Sequence, residues 1–98
     1  KIINKQAQSI EHQLIFKIIR ELKPAYCLEL GTSLGISASY QILALKLNKN
    51  GSFVTIEGSK EVAHYADSNL NDLQYKNYSV LVGRFMDVLP KLLTNGLQ

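Results

Sequence analysis

The sequence predicts an α/β domain: three parallel strands, in the order 3-2-1, flanked by helices. Three observations carry this expectation. Segments with strand character (Tyr26–Leu30, Ser52–Glu57 and Tyr78–Val82) alternate with segments whose apolar residues recur at helical spacing. Each strand runs directly into a glycine: Gly31, Gly58 and Gly83. The intervening stretches are long enough for helical crossovers, which join parallel strands with a right-handed turn.

Composition sets the limits. The 98 residues suffice for one small domain, and the 46% hydrophobic content suits a globular core. No apolar run approaches the roughly 20 residues of a membrane span, and residues 1–6 lack the apolar core of a signal peptide. One cysteine cannot form an internal disulfide, which points to a reducing, cytoplasmic setting. The net charge is +3, but the eleven Lys and Arg residues are scattered. A nucleic-acid partner would call for a basic face with interleaved aromatics, so none is expected. There is no repeat and no linker, so residues 1–98 are taken as one unit.

An N-terminal helix is expected over 9–23, capped by Ser9, with Glu11 in its first turn. Ile10, Leu14, Ile15, Ile18, Ile19 and Leu22 give it a broad apolar stripe, for which the following strand is the natural cover. Lys23-Pro24 ends it. His12 falls on the polar side and is expected in solvent. The βαβαβα unit, 25–95, then opens with an apolar strand containing Cys27, a small buried hydrophobe. Glu29 stands out, because a carboxylate in such a strand costs desolvation unless it is hydrogen-bonded. It belongs to a pocket, accepting either from the N–H groups of the next turn or from a ligand.

That turn holds Gly31 and Gly35, which permit a tight reversal and close approach of the backbone to a ligand. From Ile36 the apolar positions (Ile36, Tyr40, Leu43, Ala44, Leu47) follow helical spacing. A strand, a glycine turn and a helix start aim N–H groups and the positive helix end at one point, which is a nucleotide-type pocket. Asn50-Gly51 stops the helix. Glu57 closes the second strand at its carboxyl end, the ligand side of an open parallel sheet, where a carboxylate can accept from vicinal ribose hydroxyls.

Ser59 caps the third helix, with Val62, Ala63, Ala66 and Leu70 inward, Tyr65 at the border and His64 exposed. His12 and His64 lack a third ligand, so no metal site is expected. Residues 69–72 and 75–77 are turn-rich. After the third strand, Asp87 caps a last helix with Pro90 in its first turn. Phe85 and Met86 either sandwich an aromatic ring or pack in the core.

Two nucleotide families use such a rim. The dinucleotide fingerprint requires glycine at 31, 33 and 36; here 33 is Ser and 36 is Ile, so an NAD(P)-binding βαβ unit is the weaker alternative. Glu29-Leu30-Gly31-Thr32-Ser33-Leu34-Gly35, followed by Ile36-Ser37-Ala38, resembles instead the first motif of class I S-adenosylmethionine-dependent methyltransferases, in the form used by the catechol and caffeoyl-CoA O-methyltransferases. Val54-Thr55-Ile56-Glu57 resembles their second motif, and residues 82–90 resemble the segment after their third strand.

The resemblance implies a Rossmann-like fold, S-adenosylmethionine as cofactor and O-methyl transfer to a small molecule. By position it assigns Glu29, Gly31, Thr32, Ser33 and Gly35 to the pocket for the amino-acid end of the cofactor, and Ser37 to its carboxylate. Glu57 would hold the ribose, Gly58 would leave room beside the adenine, and Arg84, Phe85 and Met86 would frame that ring. It names no catalytic base. Methyltransferases of this kind are about twice as long, so the resemblance covers the N-terminal, cofactor-binding half. The β1-like strand would keep a bare edge, which implies a C-terminal half, a partner chain or self-association. A non-catalytic binding or interaction fragment is the other functional class.

Overall fold

Seven elements follow one another in the computed structural model, which describes residues 10–32 and 35–95. They are α1 (Ile10–Leu22), β1 (Tyr26–Leu30), α2 (Ile36–Asn48), β2 (Ser52–Glu57), α3 (Lys60–Asn71), β3 (Tyr78–Val82) and α4 (Phe85–Asn95). The expected cap Ser9, and Ser33 and Leu34 in the glycine turn, lie outside the described residues. The sheet is parallel throughout, with β2 between β1 and β3, which is the expected order. Among the described residues no helix is long and apolar enough to cross a membrane.

Strand alternation divides the sheet into two unequal faces. On one, Cys27, Phe53, Tyr78 and Val80 pack with Ile19, Ala38, Ile42, Ala44, Leu45 and Leu70 from the helices. Phe53 lies at the centre and is fully buried. On the other, Tyr26, Leu28 and Leu30 of β1 remain exposed. Burial of the first face drives the fold; on the second, Ile56 of β2 is fully buried where α4 packs on that strand, and β1 is left uncovered.

Several sequence expectations need correction. α1 packs chiefly against α2 rather than β1. Only Ile19 of its stripe is fully buried, with Ile15 half-buried, while Ile10, Leu14, Ile18 and Leu22 are exposed. The stripe is broader than the one neighbour it meets. His12 is not a solvated surface residue: its ring stacks on Tyr40, centroids 5.3 Å apart and 7° from coplanar. α2 lies between α1 and the sheet, so it is buried nearly all round, through Ala38, Ser39, Tyr40, Gln41, Ile42, Ala44 and Leu45. Leu47, expected inside, is exposed.

Helix ends moved as well. α2 ends at Asn48, close to the expected end and just ahead of Asn50-Gly51, with Lys49 as its cap in the left-handed conformation at φ 59°. α3 continues through 69–71, and its C-terminal turn bonds Asp72 N–H to Asn69 O. α4 starts at Phe85, so Asp87 is not its cap but a first-turn residue, paired with Arg84. Pro90 therefore lies in the second turn, where its missing N–H removes one helical bond. Ser59, by contrast, caps α3 as expected, its Oγ accepting from Val62 N–H at 3.2 Å.

Gly51 is fixed for a different reason from helix stopping. Its φ is +109°, and a Cβ there would stand 2.8 Å from the Pro24 carbonyl oxygen and 2.6 Å from Leu45 Cδ2. Leu45 can rotate, but the backbone of the α1–β1 connection cannot. Gly51→Ala is expected to cost about 2 kcal/mol, from positive-φ strain plus that contact. Urea unfolding measures it as a lower midpoint at unchanged slope; an unchanged midpoint would refute the close approach.

Candidate functional site

Parallel pairing sets three connections at the same end of the sheet. Pairing of Leu30 with Ile56 and of Glu57 with Val82 places Gly31, Glu57 and Gly83 side by side at the carboxyl ends. Hydrogen bonds tie them: Gly31 N–H donates to Ile56 O at 2.7 Å, and Gly83 N–H donates to Glu57 O at 3.0 Å. Phe85 reaches back across this edge, its Cζ 3.9 Å from where a Cβ on Gly31 would stand. Gly58 faces the Gly83 carbonyl at a similar distance.

The glycine turn enters α2 through two left-handed residues, Gly31 at φ +88° and Gly35 at φ +87°. Only glycine adopts these angles without strain. Gly35 N–H donates to Thr32 O at 3.0 Å. Ser39 donates to Gly35 O from both its N–H (2.9 Å) and its Oγ (2.6 Å). Among the described residues no side chain caps this helix start, which leaves its positive end facing the turn, where an anionic group would be favoured.

Glu29 is the hub of a polar network beneath the turn. Its Oε1 accepts from Thr55 Oγ1 at 3.0 Å and its Oε2 from Gln41 Nε2 at 3.1 Å. Gln41 Nε2 also reaches Ser37 Oγ at 3.3 Å. Thr55 Oγ1 lies 2.7 Å from Thr32 Oγ1. A hydroxyl has one proton, and that of Thr55 goes to Glu29, so Thr32 is the donor in this second contact. Thr32 and Thr55 are both buried. Burial pushes the Glu29 carboxyl above its ordinary range, while hydrogen bonds from Thr55, Ser37 and Gln41 pull it back. Among the described residues the network reaches the turn through side chains, from Glu29 by way of Thr55 to Thr32, and not through the turn's N–H groups as expected.

At the strand ends, Glu57 Oε2 accepts from Ser59 N–H at 2.9 Å, which orients the carboxylate at the β2–α3 connection. Arg84 Nε pairs with Asp87 Oδ2 at 2.9 Å, but both side chains are largely exposed, so the pair contributes little to stability. Phe85 joins the rim, while Met86 stays 85% exposed.

Thus Glu29, Gly31, Thr32, Gly35, Ser37, Glu57, Gly58, Arg84, Phe85 and Met86 all lie in or next to these three connections, and Ser33 lies outside the described residues. Sequence reasoning missed Thr55 and Gln41. Thr55 meets Glu29 only through the strand register. Gln41 left a trace, since it stands one helical turn from Ser37. Among the described residues, no three His, Cys, Asp or Glu side chains gather as metal ligands. A groove of about 680 Å³ runs elsewhere, along α3 and the outer edge of β3, where the Tyr78 hydroxyl bonds Asp67 and Asn71. Chemistry, not cavity size, singles out the rim.

A three-stranded parallel sheet with this rim defines the class: an open, Rossmann-like α/β domain, in which the carboxyl ends of the strands are the side where such sheets bind ligands. Comparison of structures narrows it. The chain is similar to the O-methyltransferase TomG of Streptomyces achromogenes, solved with S-adenosylmethionine (SAM): 31% identity, TM-score 0.77, 84% of this chain and 36% of that one. It shares the fold of an S-adenosylhomocysteine (SAH)-bound methyltransferase from Podospora anserina, at 20% identity and TM-score 0.78, covering 89% of this chain and 38% of that one. An O-methyltransferase from Bacillus cereus in complex with SAH matches at 23% identity and TM-score 0.72, covering 94% and 40%. The chain therefore spans well under half the length of these proteins, and the resemblance carried by the motifs extends to the fold. No family model and no curated protein matches the chain.

Proposed function

We propose that this chain is the SAM-binding part of an O-methyltransferase acting on a small molecule. The observation that carries it is the convergence of the glycine turn, Glu57 and the 83–86 connection on one edge of the sheet, in a fold shared with TomG at 31% identity. The residues present fit the cofactor. The left-handed Gly31 leaves a cradle facing Phe85 that a Cβ would begin to fill. The uncapped start of α2 suits a carboxylate, and the Glu29 side suits an ammonium group.

When bound, the cofactor supplies an electrophilic methyl group on a sulfonium, and its transfer depends chiefly on positioning. The chain's own residues do that positioning. Ser37 and the first turn of α2 would hold the amino-acid end, over the turn formed by Gly31, Thr32, Ser33 and Gly35. Glu57, oriented by Ser59 N–H, would accept from the ribose hydroxyls; a carboxylate offers about four lone-pair sites. Gly58 and the 84–86 segment would flank the adenine, with Phe85 as its flat apolar wall. Arg84 and Met86 would contribute backbone.

The half-exposed Tyr26, Leu28 and Leu30 and the outer edge of β1 support further polypeptide beside that strand, either more of the same protein or a second copy. A single half-buried free cysteine supports a cytoplasmic setting.

Titration calorimetry tests the cofactor assignment. A saturable one-site isotherm with SAM or SAH is expected; no heat from either, in a sample shown to be folded, would overturn it.

A further inference from the structure

Resting on that cofactor assignment, we propose that Thr55 and Gln41 are positioning residues for the cofactor: they fasten the glycine turn from below, through Glu29 and Thr32, without touching the ligand. The hydrogen-bond directions make the arrangement a one-way relay. Thr32 donates to Thr55 at 2.7 Å, Thr55 donates to Glu29 Oε1 at 3.0 Å, and Gln41 donates to Glu29 Oε2 at 3.1 Å. Every donor ends on the one carboxylate, so the relay runs in this direction only when Glu29 is ionised. A proton on Oε1 turns the relay round: Glu29 donates to Thr55 and Thr55 to Thr32, while Oε2 still accepts from Gln41. The Thr32 proton then has no acceptor in the relay, at a side chain only 2% exposed, and the hold of β2 on the turn that begins with Gly31 weakens.

The burial of the relay makes it consequential. Thr55 is fully buried, Thr32 is 2% exposed and Gln41 8% exposed, so water cannot replace a lost partner cheaply. The groups facing Glu29 are neutral: Ser37 and Gln41 from α2, Thr55 from β2 and the Cys27 thiol on its own strand. Glu57 is the nearest carboxylate along the same face of β2. No Lys, Arg or His pairs with Glu29 among the described residues. Its ionised state therefore rests on the three hydrogen bonds that oppose desolvation.

The test is SAH affinity, measured by calorimetry across pH, for the wild-type chain, Thr55→Val, Thr55→Ser and Gln41→Met. Wild-type affinity is expected to fall on the acid side as Glu29 takes up a proton. Thr55→Val should weaken binding about five- to tenfold at neutral pH, less than the full worth of one hydrogen bond to a charged group because Thr55 acts on the ligand only through the turn. It should also move the acid limb to higher pH, because one bond favouring the ionised form is gone. Gln41→Met should move the limb the same way, and it carries the test alone if Thr55→Val fails to fold. Thr55→Ser should restore both affinity and limb. Weakened binding with an unmoved limb, or no rescue by serine, would reduce these residues to packing and overturn the proposal. If the wild-type chain itself gives no heat, the cofactor assignment fails first, and the positioning role with it.

Discussion

Replacing Glu57 by alanine is expected to weaken SAH binding by about 1.5–3 kcal/mol, roughly ten- to 150-fold. The carboxylate stands at the carboxyl end of the central strand, between the connections from β1 and β3, and is oriented by Ser59 N–H. Hydrogen bonds from ribose hydroxyls to an ionised acceptor are the strong kind, which is why the loss is large. Because Ser59 N–H loses its acceptor too, Glu57→Gln is the needed companion. It keeps an oxygen for Ser59 and for one hydroxyl but drops the charge, so an intermediate loss is expected. Calorimetry reads both. Wild-type affinity in Glu57→Ala would remove this residue from the site.

Phe53→Ala should produce the largest loss of stability. The side chain is fully buried at the centre of the only sheet among the described residues, among residues of α1, α2, α3 and β3. Truncation removes its transfer free energy and leaves a cavity, about 3–5 kcal/mol together. A domain of this size has a total stability on the order of 5–10 kcal/mol. The variant should therefore unfold at much lower denaturant, or be substantially unfolded without it. Guanidinium unfolding followed by circular dichroism measures the shift. A change under 1 kcal/mol would mean that the sheet packs differently on its helices.

The strands were legible because their apolar character is local: Tyr26–Leu30, Ser52–Glu57 and Tyr78–Val82 occur where the composition places them. So was the start of α3, where Ser59 carries the cap in its own side chain. The helix faces were less legible. A periodicity marks which residues are apolar, not how many neighbours a helix will meet. α1 packs chiefly on one helix, so Leu14 and Ile18 stayed exposed; α2 lies between that helix and the sheet, so Ser39 and Gln41 were buried. His12 looked polar-faced and stacked instead on Tyr40, a residue of the next helix.

Within the rim, the glycines and the strand-end carboxylate Glu57 could be found from sequence, because turn geometry and strand ends fix their place. By itself the chain determined its alternation of strands and helices, its parallel order and the one edge where three turns meet, since those follow from local propensity and connection length. Only the tertiary structure decided what holds Glu29. Thr55 and Gln41 come from different elements, and a buried carboxylate takes its partners from whatever packing brings within about 3 Å.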